Sequence, residues 1–185
     1  RGGARGDGNE RPAGHQGAKQ ARAAMARAFA EKEIAPHAFE WEEAGIFPAE
    51  LYQKAGDLGI LGVGFPEEVG GVGSGPMGQV MSIQGLMRGQ TTGVAVGLFS
   101  AGIAVPPIIA SGDKDLIETY VKPALRGEMI ASLAVTEPGA GSDVSGVTTK
   151  AVRDGDHYVV NGSKTYITSG TRADFFTTLV RTGED

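Results

Sequence analysis

Apolar residues recur at helical spacing along the first two thirds of the chain and alternate at strand spacing along the last third. Ala18 to Ala35, AKQARAAMARAFAEKEIA, is alanine-rich, with Met25, Phe29 and the stem of Lys32 along one stripe, so it predicts a helix that Pro36 ends or kinks. A second helix is predicted from Pro48 through Leu51, Ala55 and Leu58. The glycine-rich run GILGVGFPEEVGGVGSGP has no helical period and reads as a long connection lying over the helices. Met77 to Met87 predicts another helix, with Val80, Ile83 and Met87 spaced for burial. Leu98 to Ala110 is read as partly helical around Pro106-Pro107, and Asp113 as the cap of a short helix that stops before Pro123.

The pattern changes after Glu128. MIASLAV, TTKAVRDG, DHYVVNG, KTYITSG and DFFTTLVRTG each have the length and content of a strand, and Asn161-Gly162 and Asp154-Gly155 signal tight hairpin turns. The resulting expectation is an α+β chain. A leader over 1–17, disordered or non-native, precedes an all-α amino-terminal helical domain over 18–127, and 128–185 form part of an antiparallel β-barrel-like domain. Four or five strands without closure leave sheet edges unpaired, so the chain reads as a fragment, or as one whose edge another chain covers.

Composition narrows the function. A formal charge of −5 without a basic block argues against nucleic acid as the main partner. With no cysteine and three scattered histidines, no metal site is expected; a reducing, cytoplasmic location is. The most apolar stretch, Gly93 to Ala110, is too broken for a membrane span, which needs about twenty apolar residues. Its Gly93, Ala95 and Gly97 suit helix packing or the lining of a pocket.

Candidate chemistry concentrates in TEPGAGSDVSG, Thr136 to Gly146, directly after an apolar strand. Gly139 and Gly141 let consecutive amides converge on an anion, Ser142 adds a donor, and Thr136 donates or accepts. Glu137 and Asp143 would repel a phosphate unless they turn toward amides of their own loop. A rigid surface turn has the same composition. The loop is neither GxxxxGK[ST] nor set in a βαβ unit, so the common nucleotide fingerprints do not apply. In GSKTYITSG, Tyr166 and Thr168 alternate onto one strand face, where a ring and a hydroxyl suit a planar heterocycle, or simply a sheet interior; Lys164 is read as a surface group.

In order and separation, LAVTEPGAGSDVSG and DHYVVNGSKTYITSG resemble the flavin-binding middle domain of the acyl-CoA dehydrogenase family. Leu61 to Gly75 and ASGDKDLIETYVKPALRGEMIASLAVTEPG resemble its amino-terminal helical domain. The resemblance implies FAD, with Leu133, Val135 and Thr136 lining the ring, Gly141 and Ser142 near the pyrophosphate, Tyr166 over one face and Thr168 near N5 and O4. Leu133 and Tyr166 stand where the family often has an aromatic residue and a tryptophan.

The resemblance also implies α,β-dehydrogenation of an acyl-CoA thioester, electron-transferring flavoprotein as the oxidant and a homo-oligomer. The catalytic base is expected in a carboxy-terminal domain that these residues do not include, so no catalytic residue is assigned and the isolated stretch is expected to be inactive. Acyl-CoA oxidase, a related flavin monooxygenase or a non-catalytic scaffold are the other functions such a chain could serve.

Overall fold

The computed structural model describes residues 13–183, and the leader expected over 1–17 lies outside them up to residue 12. Residues 13–17 are instead the first turns of α1, Ala13–Phe29. The helical path then tightens and loosens without breaking: a π-helical turn at Ala30–Ile34 and a 3₁₀ turn at Ala35–His37 lead into α2, Ala38–Ala44. Pro36 sits in the first turn of the 3₁₀ segment, where its missing N–H is not needed, so it bends the path rather than ending it. Phe29 joins the core and Met25 packs against it, but Lys32 projects into solvent.

The remaining helices are α3 (Glu50–Asp57), α4 (Gly75–Leu86), α5 (Thr92–Leu98), α6 (Ala101–Ala104), α7 (Pro106–Ser111), α8 (Lys114–Leu116) and α9 (Lys122–Leu125). The Asp113 carboxylate accepts from the amides of Asp115 at 3.0 Å and Leu116 at 3.1 Å, the cap expected of it. The helix does not stop at Pro123. A π-helical turn at Ile117–Val121 runs straight into α9, with proline again in a first turn. Among the described residues no single helix is long and apolar enough to cross a membrane.

Helix α4 reverses the expected burial. Gly78, Ser82, Gly85 and Leu86 face inward, whereas Val80, Ile83 and Met87 are exposed by 50%, 36% and 39%. Close approach to α1 is the cause. A Cβ on Gly85 would lie 2.6 Å from the Ala23 carbonyl oxygen and 2.9 Å from the Arg27 nitrogen, so only the small-residue face can enter this contact. Apolar spacing alone could not report that constraint.

Two cores result. One joins Ala26, Phe29, Ile34, Leu51, Tyr52, Leu86 and Leu98 between the helices. The other joins Ala101, Val105, Val121, Leu125 and Ala131, with Leu133 and Phe175 packed against it, and so fastens the helices to the β region. Thr177 reinforces that junction by donating to the Ala104 carbonyl at 2.7 Å.

The β region is open rather than barrel-like. Among the described residues it has four strands, β1 (Ala131–Ala134), β2 (Lys150–Asp154), β3 (His157–Asn161) and β4 (Phe175–Thr178), in two two-stranded ladders. β2 and β3 are antiparallel and joined at Gly155-Asp156, next to the Asp154-Gly155 signal. β1 and β4 are parallel, in register Ala131 with Phe175 to Ala134 with Thr178, correcting the all-antiparallel expectation. The long crossover between them, which contains the hairpin, is what permits parallel pairing. Asn161-Gly162 makes no hairpin: a Cβ on Gly162 would lie 2.3 Å from the Thr149 hydroxyl, so glycine is needed there for close packing. KTYITSG is not a strand but an irregular segment.

Gly127, between α9 and β1, has φ +75°, and a Cβ there would lie 2.0 Å from the Tyr52 carbonyl oxygen. Gly127→Ala is therefore expected to cost about 2 kcal/mol, from overpacking and left-handed backbone together. Thermal denaturation should show a melting temperature lower by about 4–8 °C.

Candidate functional site

The Thr136 loop turns sharply at once. Glu137 N donates to the Ala140 carbonyl at 2.8 Å and Ala140 N returns a bond to the Glu137 carbonyl at 3.2 Å, closing a turn around Pro138-Gly139. That turn directs the Glu137 side chain into the protein, where only 3% of it is exposed. There the carboxylate accepts from the Thr148 amide and hydroxyl, both at 2.7 Å, from the Thr149 amide at 2.9 Å, from the Thr149 hydroxyl, and from Lys164 Nζ at 2.9 Å. The Thr149 hydroxyl first, and Lys164 after it, hold its pKa far below the usual carboxylate range; burial opposes them without prevailing.

Lys164 is thus not a surface group: 12% of its side chain is exposed, and Nζ also donates to the Val135 carbonyl at 2.9 Å. Asp143 is likewise consumed locally, accepting from the Ser145 amide at 3.0 Å and the Ser145 hydroxyl, bonds that lower its pKa. Glu137 is therefore satisfied by donors outside the loop, and Asp143 by Ser145 within it. Gly141 and Ser142, by contrast, are exposed residues whose amides donate to no acceptor among the described residues.

The second motif is clamped beside the first. Thr165 N donates to the Thr136 carbonyl at 2.9 Å, and the fully buried Ser132 hydroxyl donates to the Thr168 carbonyl at 2.7 Å. Tyr52 donates to the Gly97 carbonyl at 3.0 Å and meets the Ser169 hydroxyl at the same distance, tying the segment to the helices. Tyr166 and Ser169 take left-handed backbone conformations, φ +55° and +60°, which is why the alternation expected of a strand does not occur. Tyr166 is 92% exposed, so the chain holds an unfavourable backbone conformation at an aromatic residue it does not itself cover.

The structure therefore places Val135, Thr136, Tyr166 and Thr168 along one seam between β1 and segment 165–168. Leu133 lies in the same strand, but its side chain packs against the second core. Gly141 and Ser142 lie beyond the turn; no hydrogen bond joins them to Tyr166 or Thr168 among the described residues, and the Glu137–Lys164 pair links the two motifs. Thr168 also borders a cavity of about 280 Å3 whose walls include Trp41, Phe47, Gly97 and Arg172. The Arg172 guanidinium lies 4.2 Å from the Phe47 ring centre and donates to the Phe47 carbonyl at 2.5 Å. Ser132, Thr148, Thr149 and Tyr52 went unnoticed in the sequence, where single hydroxyls in strands and helices carry no distinguishing signal. No group of three potential metal ligands occurs among the described residues.

A helical unit, an open β unit and a glycine-rich loop directly after β1 define the class. Residues 17–128 match the acyl-CoA dehydrogenase N-terminal domain and residues 132–185 the acyl-CoA dehydrogenase middle domain. The chain belongs to the acyl-CoA dehydrogenase family.

Among solved structures, it is 55% identical to a probable acyl CoA dehydrogenase from Mycobacterium abscessus, with a TM-score of 0.85 over 89% of this chain and 44% of that one. It is 28% identical to a glutaryl-CoA dehydrogenase from Mycobacterium smegmatis in complex with FADH2, TM-score 0.83, over 89% of this chain and 42% of that one. The mitochondrial long-chain specific acyl-CoA dehydrogenase of Mus musculus is 36% identical over 159 residues, 86% of this chain and 37% of the mouse protein. The chain thus spans about two fifths of the length of the curated relatives it matches.

Because the folded-state pKa of Glu137 is depressed, its ionised form contributes stability in full above the ordinary carboxylate value near 4.5. That contribution declines as pH falls below this value and is gone once pH passes the folded-state pKa. Melting temperatures of wild type and Glu137→Gln should therefore differ by a constant amount at neutral pH and converge in acid.

Proposed function

We propose that this chain supplies the flavin-holding half of an acyl-CoA dehydrogenase acting, in the complete protein, on the α and β carbons of an acyl-CoA thioester. The observation that carries the reading is the pairing of two features: an exposed, left-handed Tyr166 and a glycine-rich loop with acceptor-free amides. Family membership supports it, as does the FADH2-bound relative. Neither feature benefits the chain alone. The left-handed conformation of a non-glycine residue costs about 1–2 kcal/mol.

The residues present fit FAD. Gly141 has no positive φ and a Cβ there would meet no protein atom within 4 Å, so this chain's own packing does not require glycine at 141. An approaching pyrophosphate does require it, since its oxygens must come within hydrogen-bond reach of the backbone. Glu137 is buried and paired with Lys164, which removes its repulsion, and the exposed Asp143 carboxylate is engaged by the Ser145 amide and hydroxyl. In this reading Gly141 and Ser142 hold the pyrophosphate, and Val135 and Thr136, with the accessible edge of Leu133, flank the ring. Tyr166 covers one ring face, and Thr168 presents its hydroxyl to the reactive edge. Bound there, flavin supplies a hydride acceptor.

The chain's own residues contribute binding, orientation and exclusion of water rather than proton transfer. Glu137, saturated by its donors and strongly acidic, is not a base; the base belongs to a carboxy-terminal domain. Electron-transferring flavoprotein as oxidant and a homo-oligomeric assembly complete the proposal.

The full-length protein should purify yellow or take up FAD when it is added, with visible flavin absorbance. Gly141→Leu should leave the apoprotein's melting temperature unchanged yet weaken FAD binding at least about tenfold, a loss of about 1.4 kcal/mol. A folded full-length protein that gains no flavin absorbance overturns the reading.

A further inference from the structure

The two motifs that face the proposed flavin are joined by a single buried charge pair, and neither partner of that pair is free to touch a ligand. Glu137 lies one residue after Thr136, and Lys164 two before Tyr166. Lys164 Nζ spans from the Glu137 carboxylate to the Val135 carbonyl, both at 2.9 Å, so one ammonium grips the first motif at two points. Next to it the Thr165–Thr136 backbone bond, 2.9 Å, aligns the segments. The remaining carboxylate lone pairs are taken by Thr148 and Thr149 at the entry to β2. Three chain segments therefore meet at one ion pair.

Regular structure does not supply this alignment. Segment 164–170 belongs to no strand, and the described bonds fixing it to the first motif are the Lys164 and Thr165 contacts and the Ser132 bond to the Thr168 carbonyl. A slip there would move the Tyr166 ring relative to the Gly141-Ser142 amides, and with it the match to any rigid ligand spanning both.

We propose that Glu137 and Lys164 are positioning residues, setting the register of the amide-bearing loop against the Tyr166–Thr168 segment so that one flavin nucleotide meets both. This rests on the flavin reading above. It differs from a purely stabilising role in what it predicts for binding: loss of the pair lowers the affinity of protein that remains folded and alters the environment of the bound ring.

The test uses the full-length protein with added FAD. Lys164→Met and the double variant Glu137→Gln/Lys164→Met are compared with wild type and with Lys54→Met, which removes an exposed pair with Glu33. Affinity is measured by flavin fluorescence titration, the bound state by its visible absorption spectrum, and folding by circular dichroism and melting temperature. The double variant keeps the proposal open to refutation should Lys164→Met fail to fold, because it leaves no uncompensated buried charge.

The expected result is at least a tenfold rise in the FAD dissociation constant and a shifted visible band in whichever of the two variants folds. Lys54→Met should match wild type in both. Folded Lys164 variants that bind FAD with wild-type affinity and spectrum overturn the proposal, even if their melting temperature falls, since that is the mark of stabilisation alone. Wild-type protein that takes up no FAD overturns the flavin reading and this proposal with it, so the two failures are distinguishable.

Discussion

A carboxylate taken out of water must be given donors, and the β region of this chain is organised around meeting that demand at Glu137. Five donors from two other segments converge on it, one of them a lysine that is itself nearly buried. Two-stranded ladders are marginal by themselves. Here a polar cluster joins what the short ladders do not, linking the loop after β1, the entry to β2 and the irregular segment before β4. Because a buried charge without its partner is strongly unfavourable, the arrangement is close to all-or-none. Exposed pairs such as Arg27–Glu31 and Lys122–Glu118 contribute little by comparison.

The helices act on the same seam from the other side. Tyr52, 2% exposed, carries a hydroxyl that reaches both the Gly97 carbonyl and Ser169, while the core around Val105, Val121 and Leu125 takes in Ala131 and Phe175. The seam is thus braced by apolar packing at its base and by directional bonds at its rim. That division suits a binding surface: packing sets where the modules sit, and hydrogen bonds set which groups face outward. The left-handed backbone of Tyr166 lies between two anchors, the Thr165–Thr136 and Ser132–Thr168 bonds.

How much could be read in advance varied with how local each signal was. The Asp113 cap and four of the five strands depend on neighbours within a few residues and are where the pattern put them, and the β2–β3 turn falls one residue on from the Asp154-Gly155 signal. The negative charge of Glu137 and Asp143 beside an anion site calls for amide donors, and both carboxylates find them, Glu137 buried against Thr148 and Thr149 and Asp143 at the surface against Ser145. KTYITSG failed as a strand because its alternation is an accident of composition; bonds to Thr136, Ser132 and Tyr52 hold it otherwise. Val80, Ile83 and Met87 were read as core because apolar spacing says nothing about how closely two helix axes approach, and α1 and α4 come too close for large side chains.

By itself, then, the order of residues was enough to establish helices followed by short strands, a glycine-rich turn suited to an anion, and two motifs in the order and separation of a flavoenzyme family. Periodicity, capping and turn chemistry act over a few residues and leave their mark in the string. Tertiary structure alone decided that β1 pairs with β4 in parallel, that Lys164 is buried against Glu137, and that Tyr166 is exposed on a left-handed backbone. Each of those outcomes depends on groups far apart in the chain competing for the same donors and the same space, which becomes definite only once the chain has closed on itself.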